Sequence, residues 1–102
     1  MTMHGQYARH YIVHGRVQGV FFRRATQNEA IRLGVNGWVR NLLDGTVEAY
    51  AIGDQAAVSE FERWMKNGPR GASVTKIDIV AAPIDELSEF VVRQDTSNNT
   101  VD

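Results

Sequence analysis

One segment limits most of what this chain can become. Phe22–Leu33 carries Phe22, Thr26, Ala30 and Leu33 at helical spacing, with Ala25 beside them, and Gly34 stands where such a helix would stop. Runs that read as strands flank it: the β-branched and aromatic Tyr7–Val13, and Val35–Leu42. Asp44–Gly45 is a hairpin turn signal. In Thr46–Ile52 beyond it, Val47, Ala49 and Ala51 alternate with Thr46, Glu48 and Tyr50, predicting one buried and one wet face. Asp54 is placed to cap a second helix whose core stripe is Ala57, Val58, Phe61, Trp64 and Met65, and Asn67–Pro69 ends it. Strands around Val74–Val80 and Phe90–Arg93 complete the pass. The order β-α-β-β-α-β predicts an α+β protein, the ferredoxin-like sandwich: an antiparallel sheet with two helices on one face, strand two at a sheet edge beside strand three. With 102 residues the chain is expected to be a single domain, 1–102, with loose ends at 1–6 and 95–102.

Within that order the stretch "GRVQGVFFR", Gly15–Arg23, runs from the end of the first strand into the first helix. A helix start offers amides with no intrahelical partner and the positive end of a dipole. A tight turn before it adds further amides, and Gly15 and Gly19 permit the dihedrals and a close approach. Arg23 follows on the first helical turn, where a guanidinium can meet phosphate oxygens as a planar fork. This is the chemistry of a small-anion cradle; an ordinary strand-to-helix connection with a solvated arginine is the plainer alternative. A second stretch, "GWVRN" at Gly37–Asn41, ends strand two with an uncharged amide. In the expected fold Asn41 reaches the same end of the sheet as the loop, where an amide can hold and aim a water; a hairpin residue satisfying its own backbone is the alternative.

The charge distribution fits either a solvated basic surface, the reading for Arg9, Arg24 and Arg32, or attraction of a small anion by the cluster as a whole. Residues 1–43 hold six arginines against Glu29 alone, whereas eleven acids outnumber five bases over 44–102, and the net charge is −1. Cysteine is absent, which excludes disulfides, thiolate catalysis and cysteine-bound metals. No apolar run approaches membrane-spanning length and the N-terminus lacks a signal-peptide centre, so a cytoplasmic location is expected. His10 and His14 share a strand face, but neither they nor His4 find a third ligand, so no metal site is read. Trp38, Trp64 and the phenylalanines read as core, and Lys76 and Asp78 as the wet face of a strand.

The two stretches match a family. "GRVQGVFFR" resembles the acylphosphatase signature Gly-x-Val-Gln-Gly-Val-x-Phe-Arg, and "GWVRNLLDGTVEAYAIG", Gly37–Gly53, resembles that family's second signature. The resemblance runs from about Tyr7 to Arg93. It implies a small, free-standing, metal-independent hydrolase that splits acyl phosphates into a carboxylate and inorganic phosphate, with no cofactor. By that match Arg23 binds the phosphate, Asn41 positions the attacking water, and the loop Val17, Gln18, Gly19, Val20, Phe21, Phe22 completes the cradle. Gln18 reads equally as a substrate contact or a loop brace. The partner implied is a small acyl phosphate, with neither nucleic acid nor membrane, and the chain is expected to be a monomer. RNA-recognition domains share the element order, but they need outward stacking aromatics, and strand three offers only Tyr50 beside Glu48. A non-catalytic anion-binding domain would have no use for a water-aiming Asn41.

Overall fold

The computed structural model describes residues 6–96. Its elements, in chain order, are β1 (Tyr7–Arg16), α1 (Phe22–Leu33), β2 (Asn36–Asn41), β3 (Val47–Gly53), α2 (Gln55–Asn67), β4 (Ser73–Ala81) and β5 (Phe90–Val92). They form one five-stranded sheet in the order β4-β1-β3-β2-β5. β1 runs antiparallel to both β3 and β4, and β2 antiparallel to β3. The ferredoxin-like architecture is the expected one, with two corrections. The sheet is mixed, because β5 pairs parallel with β2. For the same reason β2 is not an edge strand. Its outer main-chain groups are taken up by the returning chain: the Gly37 amide donates to Glu89 O at 3.0 Å, and the Arg93 amide to Val39 O at 2.9 Å.

Both helices cover one sheet face. Phe22, Thr26 and Ala30 of α1 are buried, with Leu33 half-buried against the same core. Gly34 caps α1 in the left-handed conformation that glycine adopts without a Cβ penalty. From α2, Val58, Phe61 and Met65 are buried and Ala57 and Trp64 partly so. Asp54 occupies the N-cap position of α2, but its side chain makes no capping bond; its carbonyl accepts from the Val58 amide at 2.9 Å. Phe61 meets Tyr11 and Phe90 edge-on, with centroids 6.1 and 5.7 Å away. Burial of such a ring is worth about 1.5–3 kcal/mol, so Phe61 helps hold the short β5 as well as β1.

The opposite face departs from the simple alternation. Tyr50, expected on the wet side of β3, is only 4% exposed. Residues 82–89 cross this face as a strap. The Tyr50 hydroxyl donates to Pro83 O at 2.7 Å and accepts from the Asp85 amide at 3.0 Å, while Asn36 Nδ2 donates to Leu87 O at 2.9 Å. Ala8, Tyr50 and Ile52 form a second small core beneath it.

Beyond β5 the chain stays attached. The Thr96 amide donates to Asn41 O at 3.0 Å, and the Leu43 amide to Thr96 O at 2.9 Å. Thr96, expected in a loose end, is thus hydrogen-bonded, and Asp95 before it accepts from Arg23 Nη1 at 3.0 Å. Residues 1–5, with His4, and 97–102 lie outside the described residues.

Candidate active site

The two glycines of Gly15–Arg23 serve different ends. Gly15 lies at a register shift between β1 and β4, where an added Cβ would stand 2.1 Å from the Ser73 carbonyl oxygen. Its constraint is the approach of another strand, and it does not line the pocket described below. Gly19 does line that pocket, at φ 74°, with open space where a Cβ would point.

Between them and α1, the loop is fixed at both ends by side chains that enter the core, Val17 (1% exposed) and Phe22 (2%). Val20 is half-buried and packs against that core. Phe21 is the N-cap of α1 in a left-handed conformation, φ 59° and ψ 26°, and its carbonyl accepts from the Ala25 amide at 3.0 Å. The α1 N-terminus has neither a side-chain cap nor an acid in its first turn, so its first amides and its dipole face outward uncompensated. The result is a pocket of about 330 Å³ lined by Val17, Gln18, Gly19, Phe21, Phe22, Arg23 and Asn41. Of the residues singled out from the sequence for this site, Gly15 and Val20 are not on this wall.

Asn41 arrives from the far end of β2, opposite Val47 of β3. It is 8% exposed, and its side-chain oxygen Oδ1 is buried with no hydrogen-bond partner among the described residues. An acceptor buried in that way costs about 1–3 kcal/mol, so the position favours anything that can donate to it. Gln18 is committed elsewhere. Its Nε2 donates to Leu42 O and to Thr46 O, each at 2.8 Å, which uses both amide hydrogens and ties the loop to the β2–β3 hairpin. The hairpin closes on itself too: the Thr46 amide and hydroxyl donate to Asp44 Oδ1 at 2.9 and 2.6 Å.

Arg23 Nη1 lies 3.0 Å from Asp95 Oδ1, the two side chains being 34% and 50% exposed. Sequence reasoning missed Asp95, and no local signal marks a carboxylate that joins the site from beyond β5. On the other face, His10 Nε2 lies 2.7 Å from Glu48 Oε2 and His14 Nε2 2.9 Å from Asp78 Oδ2, each histidine paired with an acid of a neighbouring strand. Among the described residues no three His, Cys, Asp or Glu side chains stand together as a metal site. Trp38 stacks on the buried Tyr50 at 6.2 Å, with the guanidinium groups of Arg40 and Arg93 over its ring. The outward aromatic that a nucleic-acid surface would need is therefore beneath the strap. No helix among the described residues is long and apolar enough to cross a membrane.

Fold and pocket together define a small α+β sandwich whose first strand-to-helix loop leads into a helix N-terminus without a side-chain cap, with an arginine beside a buried asparagine. The family model described as Acylphosphatase matches residues 9–92. An acylphosphatase of Pseudomonas paraeruginosa is 47% identical over 85 residues, covering 83% of this chain and 93% of that one. One of Nocardioides is 52% identical over 81 residues, covering 79% and 82%. The solved acylphosphatase structure from Coxiella burnetii superposes with a TM-score of 0.84 at 35% identity, covering 86% of this chain and 93% of that one. The chain belongs to the acylphosphatase family.

Proposed function

We propose that this acylphosphatase-family chain hydrolyses the carboxyl–phosphate bond of small acyl phosphates, Arg23 and the loop amides holding the phosphate and Asn41 aiming the water. The observation that carries the reading is the buried Oδ1 of Asn41, without a partner among the described residues, at a pocket that also presents Arg23 and the uncapped N-terminus of α1.

The phosphate oxygens take amide hydrogens of the loop and first helical turn, and Arg23 supplies a planar positive fork. Asn41 Oδ1 accepts one hydrogen of a water and turns its lone pair toward phosphorus. The water oxygen bonds to phosphorus as the bond to the carboxyl oxygen breaks, and the leaving carboxylate keeps the electron pair. Its conjugate acid has a pKa of about 4 by analogy with side-chain carboxyls, so no general acid is needed at neutral pH. The water's proton passes to a phosphate oxygen. Such phosphoryl transfer rests on positioning and charge stabilisation, which amides, one arginine and one asparagine supply. The same reading takes the enzyme as a metal-independent cytoplasmic monomer.

The test pairs phosphate release from benzoyl phosphate, with chelator present, against inorganic phosphate affinity by calorimetry. Arg23→Ala should lose both. Asn41→Ala should keep phosphate affinity while turnover falls ~10²–10³-fold, the usual cost of removing one positioned polar group at a reacting centre. A folded Asn41→Ala that keeps most of its turnover would overturn the water-aiming role.

A further inference from the structure

We propose that Phe21 is the specificity determinant on the acyl side of this site, favouring acyl phosphates with a bulky apolar acyl group, aromatic above all, over acetyl-sized ones. The inference rests on the reading of the loop as the phosphate cradle.

Phe21 and Phe22 are consecutive aromatics with opposite fates. Phe22 is 2% exposed in the core, whereas Phe21 is 85% exposed and lines the pocket. Among the described residues Phe21 is the most exposed of the large apolar side chains, and its ring stacks on no other. It is also the only non-glycine residue with positive φ among those described. Glycine would adopt that conformation without steric cost, and a bulky side chain there is strained. The buried neighbours Val17 and Phe22 hold the strain in place, and strain so held clusters at ligand sites. A ring kept at such a position, in water and beside an anion cradle, is available for what the cradle leaves outside.

The substrate's own connectivity says what that is. One bridging oxygen joins phosphorus to the carboxyl carbon, so the acyl group starts within a few ångströms of the cradle. The Phe21 ring is carried by the same loop, one side-chain length from those amides. Of the polar side chains on the wall, Gln18 spends both amide hydrogens on hairpin carbonyls. Arg23 and Asn41 are assigned to phosphate and water. No unassigned side-chain donor is left on the wall to read an acceptor on the acyl group, the Gln18 amide oxygen being the one side-chain acceptor not yet assigned, and an exposed aromatic ring remains to cover an apolar group.

The experiment compares kcat/KM for benzoyl phosphate and acetyl phosphate in the parent, Phe21→Ala and Phe21→Trp. Taking the ratio between substrates and then between proteins cancels their intrinsic reactivities. The parent should prefer benzoyl phosphate, Phe21→Ala should lower that preference about 5–10-fold, and Phe21→Trp should keep it. Inhibition by inorganic phosphate, measured on each variant, reports separately on the cradle. A preference unchanged in Phe21→Ala, or an equal loss on both substrates, would overturn the inference while leaving the acylphosphatase reading standing. A parent that releases phosphate from neither substrate would overturn that reading and this inference together.

Discussion

The guanidinium of Arg23 stands 3.0 Å from the carboxylate of Asp95, a residue 72 positions further along the chain. An anion entering the pocket therefore meets an arginine already sharing its charge. With both side chains a third or more exposed, such a pair contributes only about 0.2–1 kcal/mol. Asp95→Asn should then tighten inorganic phosphate binding by roughly two- to fivefold, and the gain should shrink as salt rises. Calorimetry at low and high ionic strength checks this. Weaker phosphate binding in Asp95→Asn would mean that the carboxylate orients Arg23 and does not compete for it.

Gln18→Met keeps side-chain length and removes both donors. The Leu42 and Thr46 carbonyls keep the backbone amides of Gly45 and Leu42 as donors but each loses the Gln18 bond, so at about 0.5–1.5 kcal/mol per bond stability should fall by about 1–3 kcal/mol. The loop and the hairpin that carries Asn41 would also lose their shared brace, so turnover should fall more than phosphate affinity. Urea unfolding together with the phosphate-release assay tests both halves; an unchanged turnover in the folded variant would reduce Gln18 to a stability role.

Gly15→Ala and Gly19→Ala should separate sharply. At Gly15 the new Cβ would collide with the Ser73 carbonyl 2.1 Å away, and backbone cannot swing aside as a side chain can. A loss of about 3 kcal/mol or more is expected. At Gly19 there is no collision and only the left-handed penalty of about 1–2 kcal/mol. Thermal melts of the two variants decide it, and equal losses would count against the close approach of β1 and β4.

Burial alone would lift the Glu48 carboxyl, but hydrogen bonds from His10 and Arg40 outweigh it and hold the group below its ordinary 4.5. A carboxyl depressed in the fold stabilises the native state above its open-chain value, and that contribution is lost as pH falls through the folded value. From about pH 5 down to pH 3 the parent should therefore lose stability more steeply than Glu48→Gln. Denaturation midpoints at pH 7, 5, 4 and 3 give the comparison, and parallel curves would remove Glu48 from the acid response.

What could be read from residues alone was whatever local periodicity or turn chemistry determines. The bounds of α1 follow from apolar spacing and Gly34, and the hairpin from Asp44–Gly45. Arg23 and Asn41 were nameable because their residue types sit at element ends that the fold brings to one place. Other features depend on partners far along the chain. Three residues of β5 are too few to display a period, and their parallel pairing with β2 is a long-range choice. Tyr50 read as wet because the 82–89 strap that covers it has no regular pattern. The reason for Gly15 lies in Ser73, and the left-handed Phe21 leaves no trace in residue type.

The pairing of Gly37 with Phe90 carries a consequence for synthesis. β2 leaves the ribosome roughly fifty residues ahead of the strand that closes its outer edge. At about 5–20 residues per second that is ~3–10 s during which its outer amides and carbonyls are open to any neighbouring nascent chain. The hazard ends only when residues 90–93 emerge and Thr96 reaches the hairpin. A stalled or truncated translation product is thus the form of this molecule most prone to join its own kind edge to edge.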